Sequence, residues 1–293
     1  MSRENQKIIF VTGKGGVGKS TVAAALALSA SQEGKRTLLV ELGDLSYFKD
    51  YLALDEVGYS PKEIFPNLYL ALWTGQASLR EYALHLLKLE SLVHLFFDNF
   101  VMRTLVNVAP GLPELALTGK ITSGYRKIGP PLNYDVVIID AYASGHMMAL
   151  LKAPRGMAET IRMGPMGEQS RGIQKVLQDP TICEFRIVTL AEELPVTETF
   201  ELANQIESEL GLKSKIILNK VINSGLSDEE LETIKKSGTG DESKFADFIL
   251  TLEHRQNQYR KQLLKLDSNL REIPFILESD PMTTLKRMSE AVK

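Results

Sequence analysis

Short apolar runs alternate with amphipathic or alanine-rich stretches along most of the chain. The apolar runs have the β-branched and leucine-rich composition of buried strands. They lie at residues 8–11, 37–40, 68–72, 134–140, 185–190, 215–218 and 273–276. Helical patterns occur between them at 22–30, 112–120 and 196–210, and again at 253–266. This alternation predicts an α/β fold, with a mostly parallel sheet that carries helices on both faces.

Two polar stretches interrupt the alternation. Residues 55–67 contain Pro61 and Pro66, and residues 224–242 are polar and rich in serine and glycine. Because proline and small polar residues favour turns, we expect both stretches to be loops.

A long helical stretch at 79–108 is apolar on nearly every side. Leucine and phenylalanine dominate it, and its polar residues form only a narrow stripe. Such a helix is buried in a core or against a partner. Asp98 and Arg103 argue against a bilayer span, because charges inside a membrane are costly. We therefore predict one domain over residues 1–293 with a helical insertion at about 75–130.

A glycine-rich segment joins the first apolar run to the alanine-rich helical stretch. It consists of Gly13, Lys14, Gly15, Gly16, Val17, Gly18, Lys19, Ser20 and Thr21. The segment fits the pattern G-x-x-x-x-G-K-[ST], whose backbone amides wrap a phosphate group. In that pattern the lysine, here Lys19, contacts the terminal phosphates, and the hydroxyl, here Ser20, binds Mg²⁺. The sequence therefore predicts a nucleoside phosphate site.

Carboxylates follow two of the apolar runs. Asp140 ends the run 134–140, where a P-loop enzyme places the aspartate that holds the Mg²⁺ shell. Glu41 and Asp44 follow the run 37–40. Because ligands bind at the carboxyl ends of parallel strands, we expect all three acids near the phosphate site.

Lys14, directly after the first glycine, gives the loop a second distinguishing feature. The segment resembles the deviant P-loop G-K-G-G-x-G-K-[ST] of the partitioning, iron-protein and anion-pump ATPases. This resemblance implies that Lys14 crosses a dimer interface to a phosphate in the opposite subunit. It therefore implies a homodimer.

More specific segments are similar to the ArsA-type family of arsenical-pump and tail-anchored-protein-targeting ATPases. Residues 140–146 with Leu150, Leu151 and Pro154 resemble the switch II pattern D-T-A-P-[ST]-G-H. Residues 109–114 resemble P-G-[IL]-x-E, and residues 188–199 resemble V-x-x-x-E…E-T. The resemblance covers nearly the whole chain.

This second resemblance implies ATP hydrolysis, with Mg²⁺ held by Ser20 and Asp140. It also implies that Asn219 contacts the adenine ring and that Pro274 lies beside the base. Lys14 and Lys19 would stabilise the phosphates.

The chain departs from the family pattern after the second apolar run. The family's D-P-A-H, whose aspartate orients the attacking water, is replaced by Glu41-Leu42-Gly43-Asp44. We expect Asp44 to orient the water, with Glu41 as the alternative. The C-x-x-C zinc motif of some targeting factors is absent. Cys183 is the only cysteine, which argues against activation by arsenite.

Composition and charge bear on whether the protein binds nucleic acid, crosses a membrane or is secreted. The chain is 44% hydrophobic and 24% charged with a net charge of −3, which argues against general nucleic-acid binding. It has no apolar stretch of membrane-spanning length and no signal-peptide pattern at its beginning. We expect a soluble cytoplasmic protein.

Three functions agree with these features. The first is a dimeric ATP-hydrolysing switch that reshapes an apolar surface for a hydrophobic client. The second is the energising subunit of an anion efflux system, which needs a membrane partner. The third is a Min/Par-type positioning ATPase, which would need a basic amphipathic tail, and residues 282–288 resemble one only weakly.

A methionine cluster bears on the first function. Methionine repacks easily and suits variable apolar surfaces, so the cluster predicts either a client groove or ordinary core packing. Its members are Met147, Met148, Met157, Met163 and Met166.

Overall fold

The computed structural model describes residues 6–87 and 111–293, and the strands of these residues form one sheet. The strands are β1 (Lys7–Thr12), β2 (Thr37–Leu42), β3 (Lys62–Phe65), β4 (Leu68–Trp73), β5 (Val136–Asp140), β6 (Cys183–Thr189), β7 (Lys215–Val221) and β8 (Arg271–Pro274). Their order in the eight-stranded sheet is β3-β4-β2-β5-β1-β6-β7-β8. Every neighbouring pair is parallel except β3 and β4. The predicted α/β class, with a mostly parallel sheet, is confirmed.

Helices cover both faces of this sheet. Those in the described residues are α1 (Lys19–Gln32), α2 (Tyr47–Tyr51), α3 (Gly75–Leu87), α4 (Leu112–Ile121), α5 (Ser123–Arg126), α6 (Ser144–Thr160), α7 (Pro165–Leu177), α8 (Glu193–Leu210), α9 (Asp228–Ser237), α10 (Asp241–Leu263) and α11 (Pro281–Ala291). The helices α1 and α11 pack on one face, through the alanine run of α1 and through Leu285 and Met288. The helices α4, α6 and α8 pack on the other face. The inner strands of the sheet therefore contribute alternate side chains to two separate cores.

The register of the central strands brings the predicted functional segments together. Val11 near the end of β1 pairs with Asp140 at the end of β5. Glu41 in β2 pairs with the same aspartate from the other side. The carboxyl ends of β1, β2 and β5 are thus neighbours, where open parallel sheets bind their ligands.

The prediction of a loop at 224–242 is wrong. The helix α9 occupies part of it, and α10 begins at Asp241 rather than near 253. Ser227 and Glu230 form a capping box that starts α9. Leu231 packs with Ala246, Ile249 and Leu250 in a small core of its own. The few apolar residues are spread over two helices, so the segment looks polar in sequence.

One smaller expectation also fails. The stretch predicted as a loop at 55–67 contains β3, an antiparallel edge strand. The hydrogen bonds of β3 come from antiparallel pairing with β4. Its four residues are too few to show an alternation of apolar and polar positions that would predict a strand.

The helical insertion is described only at its two ends. The helices α3 and α4 flank residues 88–110, and the apolar stretch predicted at 79–108 lies largely outside the described residues. Lys120 of α4 donates to Glu81 of α3 at 2.7 Å, and its ammonium lies over the Tyr59 and Trp73 rings. Burial lowers the pKa of Lys120, while Glu81 opposes that shift. This partly buried ion pair connects α3 with α4, and the Lys120 ammonium connects α4 with Trp73 of β4.

Candidate functional site

The phosphate loop follows β1 and has glycines where a side chain could not fit. Gly13 has φ +140, and a Cβ there would lie 2.2 Å from the carbonyl oxygen of Val188. Gly18 has φ +91, and a Cβ there would lie 2.5 Å from Nδ2 of Asn219. Both positions therefore require glycine, which leaves the loop amides free to wrap an anion.

Lys19, the first residue of α1, is folded back over its own loop. Its Nζ donates to the carbonyl oxygen of Lys14 at 3.0 Å. Burial lowers the pKa of Lys19, and the nearby Asp140 carboxylate opposes that shift. The lysine is thus held by one backbone oxygen, which a phosphate oxygen of a bound nucleotide can replace.

Asp140 has the properties of a metal ligand. It ends β5, and its Oδ1 is buried without a hydrogen-bond partner among the described residues. Burial raises the pKa of Asp140 to about 6, although the Ser20 hydroxyl and Lys19 oppose the shift. A buried carboxylate oxygen without a partner is costly unless a cation or donor reaches it. The carboxylate and hydroxyl are hard oxygen donors, so Asp140 and Ser20 fit Mg²⁺.

The segment after β5 is tied to the end of β1. Thr12 donates its hydroxyl to the carbonyl oxygen of Tyr142 at 3.0 Å, and Ala141 N–H donates to Val11 O at 2.9 Å. The pKa of Tyr142 is raised by burial and further by Asp44 and Glu114. Tyr142 is a site residue that the sequence reasoning did not name. Its place next to Asp140 within the switch II segment was the available signal.

Glu41 and Asp44 have different surroundings. The Glu41 carboxylate is buried and accepts hydrogen bonds from the Ser46 hydroxyl and from the N–H groups of Tyr47, at 2.7 Å, and Phe48, at 3.2 Å. It therefore caps the start of α2. Burial raises the pKa of Glu41, and these hydrogen bonds oppose the shift.

Asp44 follows a bend at Gly43, which has φ +148. Its side chain is exposed and lines a cavity of about 400 Å³ together with Tyr142 and His146. His146 is exposed in the first turn of α6, with its ring centroid 6.0 Å from that of Tyr142. Of the two candidate acids, Glu41 and Asp44, Asp44 is the one whose carboxylate is open to a substrate.

Asn219 connects β7 to the phosphate loop. Its Nδ2 donates to the carbonyl oxygen of Val17 at 2.9 Å, and its Oδ1 accepts from the N–H of Lys220 at 2.9 Å. It also lines a cavity of about 200 Å³ with Phe275. Pro274, the last residue of β8, is exposed and adjacent to Phe275. The predicted contacts of Asn219 and Pro274 with a base remain predictions.

Lys14 contacts its own subunit. Its Nζ lies 2.5 Å from Oε1 of Glu198, a residue of α8, and both side chains are about one-third exposed, at 31% and 34%. Glu198 belongs to the segment that resembles the family's E-T motif. The lysine expected to cross a dimer interface is therefore paired within one chain.

The methionine cluster divides between core and surface. Met147 and Met148 are buried, whereas Met163 and Met166 are exposed. Met166 also lines an apolar cavity of about 280 Å³ between α3, α4 and α7, with Leu79, Leu115 and Ile173. Core packing thus accounts for one part of the cluster and leaves the other part on the surface.

Comparison with known proteins identifies the family to which the chain belongs. The family model for anion-transporting ATPases, ArsA_ATPase, matches residues 6–164 and 161–252. The chain belongs to this family of P-loop ATPases and is an ATP-hydrolysing enzyme. The ArsA-type resemblance seen in the sequence is confirmed.

Individual relatives show how far the similarity extends. ATPase BagA of Mycobacterium tuberculosis is 31% identical over 240 residues, which is 77% of this chain and 68% of the relative. An Aquifex aeolicus protein, provisionally named arsenical pump-driving ATPase 2, is 22% identical over 87% of this chain and 94% of its own length. ATPase ASNA1 homolog 1 of Paramecium tetraurelia is 28% identical over 53% of this chain and 46% of its own length.

The described helices also bear on whether the chain could cross a membrane. Within residues 6–87 and 111–293, no helix combines the length and the apolar character that crossing a membrane requires.

Proposed function

We propose that this chain is a nucleotide-dependent switch that binds Mg·ATP, closes as a homodimer and hydrolyses ATP to reopen. Two observations together carry the proposal. The phosphate loop is complete and includes Lys14. Beside Ser20 and Lys19 of this loop lies Asp140, whose buried Oδ1 has no hydrogen-bond partner among the described residues. The loop amides and Lys19 would hold the phosphates. Ser20 and Asp140 would hold Mg²⁺, which when bound neutralises charge on the phosphates.

The support for the homodimer is Lys14. A lysine at this position reaches a phosphate of the opposite subunit in the ATPases that this loop resembles. In this chain it must first leave Glu198. Since both partners are partly exposed, the pair stabilises the open form by only about 1 kcal/mol. A phosphate oxygen in a dry interface can outcompete that carboxylate, because charge-assisted bonds are stronger away from water.

Hydrolysis needs a carboxylate to orient water. Asp44 is supported in this role because it is exposed beside Tyr142, whereas Glu41 is occupied by the N-terminus of α2. A carboxylate that accepts a hydrogen bond from water directs the oxygen lone pair towards the phosphorus. The proton released by water then has an acceptor at Asp44.

We also propose that the switch handles a hydrophobic client. The support is the apolar cavity between α3, α4 and α7. The exposed Met166 lines this cavity, and Met163, also exposed, precedes it closely in the sequence. The helices α3 and α4 begin beside the cavity that Asp44 lines, at Gly75 and Glu114. Closure at the phosphates would therefore displace the beginnings of the same helices that border the apolar cavity.

The geometry favours this function over a positioning ATPase. A membrane-binding tail would need a free apolar helix face. The apolar residues of α11, among them Leu285 and Met288, are instead buried against α1.

Lys19→Ala tests the phosphate site, on which the rest of the proposal depends. We expect loss of Mg·ATP binding or hydrolysis with an unchanged, cooperative melting transition. Client handling is tested separately, by photo-crosslinking a single-span hydrophobic peptide in the presence of ATP. Met163→Glu with Met166→Glu should reduce the crosslink, and Lys152→Glu, an exposed change on α6, should not. A variant Lys19→Ala with wild-type turnover would contradict the phosphate site. An equal crosslink in all three proteins would contradict the client surface.

A further inference from the structure

Charged side chains lie on a face of the sheet that parallel sheets normally keep apolar. Val11 and Ile217 belong to the core beneath α1 and α11. In the strand ladder, Val11 pairs with Arg186, Arg186 with Lys215, and Ile217 with Arg271. Residues paired across a ladder point to the same face, so these cations lie on the α1 side. Helices ordinarily cover both faces of a parallel sheet, so the side chains on those faces are apolar. The charged side chains on this face depart from that pattern.

The charges border a cleft of about 480 Å³ between α1, the end of α11 and β6–β8. Its apolar surface comes from Ile9, Leu26, Ala30, Ile138, Ile217 and Val292. The cleft lies at the opposite edge of the sheet from the phosphate loop, because Lys7 starts β1 and the loop follows the end of that strand. Its volume is within the range of about 300–1,000 Å³ typical of small-molecule sites.

The cleft carries an excess of positive charge. Its acidic side chains are Glu33, Glu184 and Asp267, and its cationic side chains are Lys7, Lys35, Arg186, Lys215, Arg271 and Lys293. The chain as a whole has a net charge of −3, so the positive charge of this cleft contrasts with the charge of the rest of the molecule. A concave surface of one sign concentrates ligands of the opposite sign.

The three acids are already engaged within the protein. Glu184 pairs with both Arg186, at 2.5 Å, and Lys215, at 2.6 Å. Burial would raise the pKa of Glu184, but these two cations outweigh it and lower the pKa, so the carboxylate stays ionised. Glu33 pairs with Lys35, and Asp267 accepts the backbone N–H of Ile216.

Cations remain for a ligand. Among the residues that the structure describes, Lys7, Arg271 and Lys293 form no ion pair, and Arg186 shares its carboxylate with a second cation. Lys7 and Arg271 are exposed at the rim, whereas the Arg186 side chain is only 18% exposed at the wall. The arrangement offers several donors to an anion that enters the cleft.

We infer that this cleft is a second ligand site, for a small molecule that carries at least two phosphate or carboxylate groups. A concave cleft of this volume can contact a compact polyanion on more sides than a flat charged surface could. Anionic groups would contact Lys7, Arg271 and Arg186, and an organic body would lie on the apolar floor. The site is separate from the nucleotide site and does not depend on the proposed switch.

Titration calorimetry tests the site with inorganic tripolyphosphate and with citrate as probes. The Lys19→Ala protein without Mg²⁺ is used, so that the phosphate loop contributes least to binding. We expect saturable binding that weakens with salt. Adding Lys7→Gln and Arg271→Gln should weaken it roughly tenfold, because each change removes one charge facing the anion.

The matched control adds Lys62→Gln and Lys152→Gln, which remove two exposed lysines away from the cleft. Binding of one probe only would assign the site to that anion class. Absence of saturable binding for both probes would overturn the inference. Equal affinity in the cleft variant and the control variant would also overturn it, because the anion would then lie elsewhere. Melting temperatures of all variants establish that each one is folded.

Discussion

Nζ of Lys14 lies 2.5 Å from Oε1 of Glu198, so the phosphate loop is joined to α8 through the lysine on which the proposed dimer depends. The pair connects the loop after β1 with the first half of the helix after β6. In the proposed switch this pair favours the open form, in which Lys14 points back to its own chain. Breaking it is therefore a cost of closure.

Glu198→Gln should ease dimerisation. The change keeps the shape of the side chain but removes the charge that holds Lys14. Closure breaks one such partly exposed pair in each subunit, at about 1 kcal/mol per pair, so we expect roughly a thirtyfold lower concentration for half-maximal dimerisation. Analytical ultracentrifugation with Mg·ATP analogue measures the shift. Glu201→Gln, an exposed change on the same helix, is the control. Weaker dimerisation in Glu198→Gln would show that Glu198 supports the closed form instead.

Asp44→Asn should abolish most hydrolysis and leave ATP binding intact. The amide cannot accept a proton from water, and we expect turnover to fall by about a hundredfold or more. Single-turnover hydrolysis and ATP titration measure the two effects separately. Asp55→Asn, an exposed change in the loop after α2, is the control.

Glu41→Gln should act on stability rather than on turnover. Both carboxylate oxygens accept hydrogen bonds from the start of α2, and glutamine keeps only one acceptor oxygen. The hydrogen bond that is lost leaves a donor unpaired, which should cost about 1–2 kcal/mol in the free energy of unfolding. If Glu41→Gln loses turnover while Asp44→Asn keeps it, the two roles are reversed.

Asp140 makes binding and stability depend on pH in opposite directions. Burial raises its pKa to about 6, so below that pH the carboxyl is neutral and Mg·ATP affinity should decrease. The folded state binds more protons than the unfolded state between about pH 4 and 6, where the carboxyl of an unfolded chain is already ionised. In the metal-free protein, stability from this group is therefore greatest below pH 4 and is lost as pH rises through 6.

The size of that loss follows from the shift. A rise from 3.8 to about 6 corresponds to a loss on the order of 2–3 kcal/mol at pH 7. Asp140→Asn should therefore raise the metal-free melting temperature at pH 7 but not at pH 4. Thermal melts at both values test this. An equal effect of the variant at pH 4 and pH 7 would mean that Asp140 is not titrating in this interval.

Asn219→Ala should loosen the phosphate loop. The change removes the donor to Val17 O and leaves that buried carbonyl unpaired, at a cost of about 1–3 kcal/mol. We expect lower affinity for ADP as well as for ATP, because the loop contacts both. Isothermal titration with each nucleotide measures it, with Asn223→Ala on the following loop as control. Unchanged affinity for both nucleotides would show that the loop holds its shape without Asn219.

The fold was largely predictable because its signals are local. Buried strands such as β1 and β5 are short apolar runs, and α1 follows a glycine loop with an unmistakable pattern. The helix α9 was missed because its stability depends on Leu231 packing against α10 and on a capping box, not on an apolar face of its own. The edge strand β3 was missed because its pairing with β4 is a tertiary contact.

The site was predictable where a motif fixes the geometry. Gly13 and Gly18 lie where the pattern requires glycine, and Asp140 ends its strand as expected. The pairing of Lys14 with Glu198 was not predictable, because it joins residues 184 positions apart. The different burial of Glu41 and Asp44 depends on the bend at Gly43 and on the start of α2, which sequence spacing does not specify.

Light scattering with ADP and a phosphate-mimicking metal fluoride tests the central claim most directly. The account predicts that the wild-type chain shifts from monomer to dimer under these conditions and that Lys14→Ala reduces the shift. Lys49→Ala, an exposed lysine on α2, should dimerise like the wild type. A chain that stays monomeric with every nucleotide, or a Lys14→Ala variant that dimerises as well as the wild type, would contradict the dimeric switch.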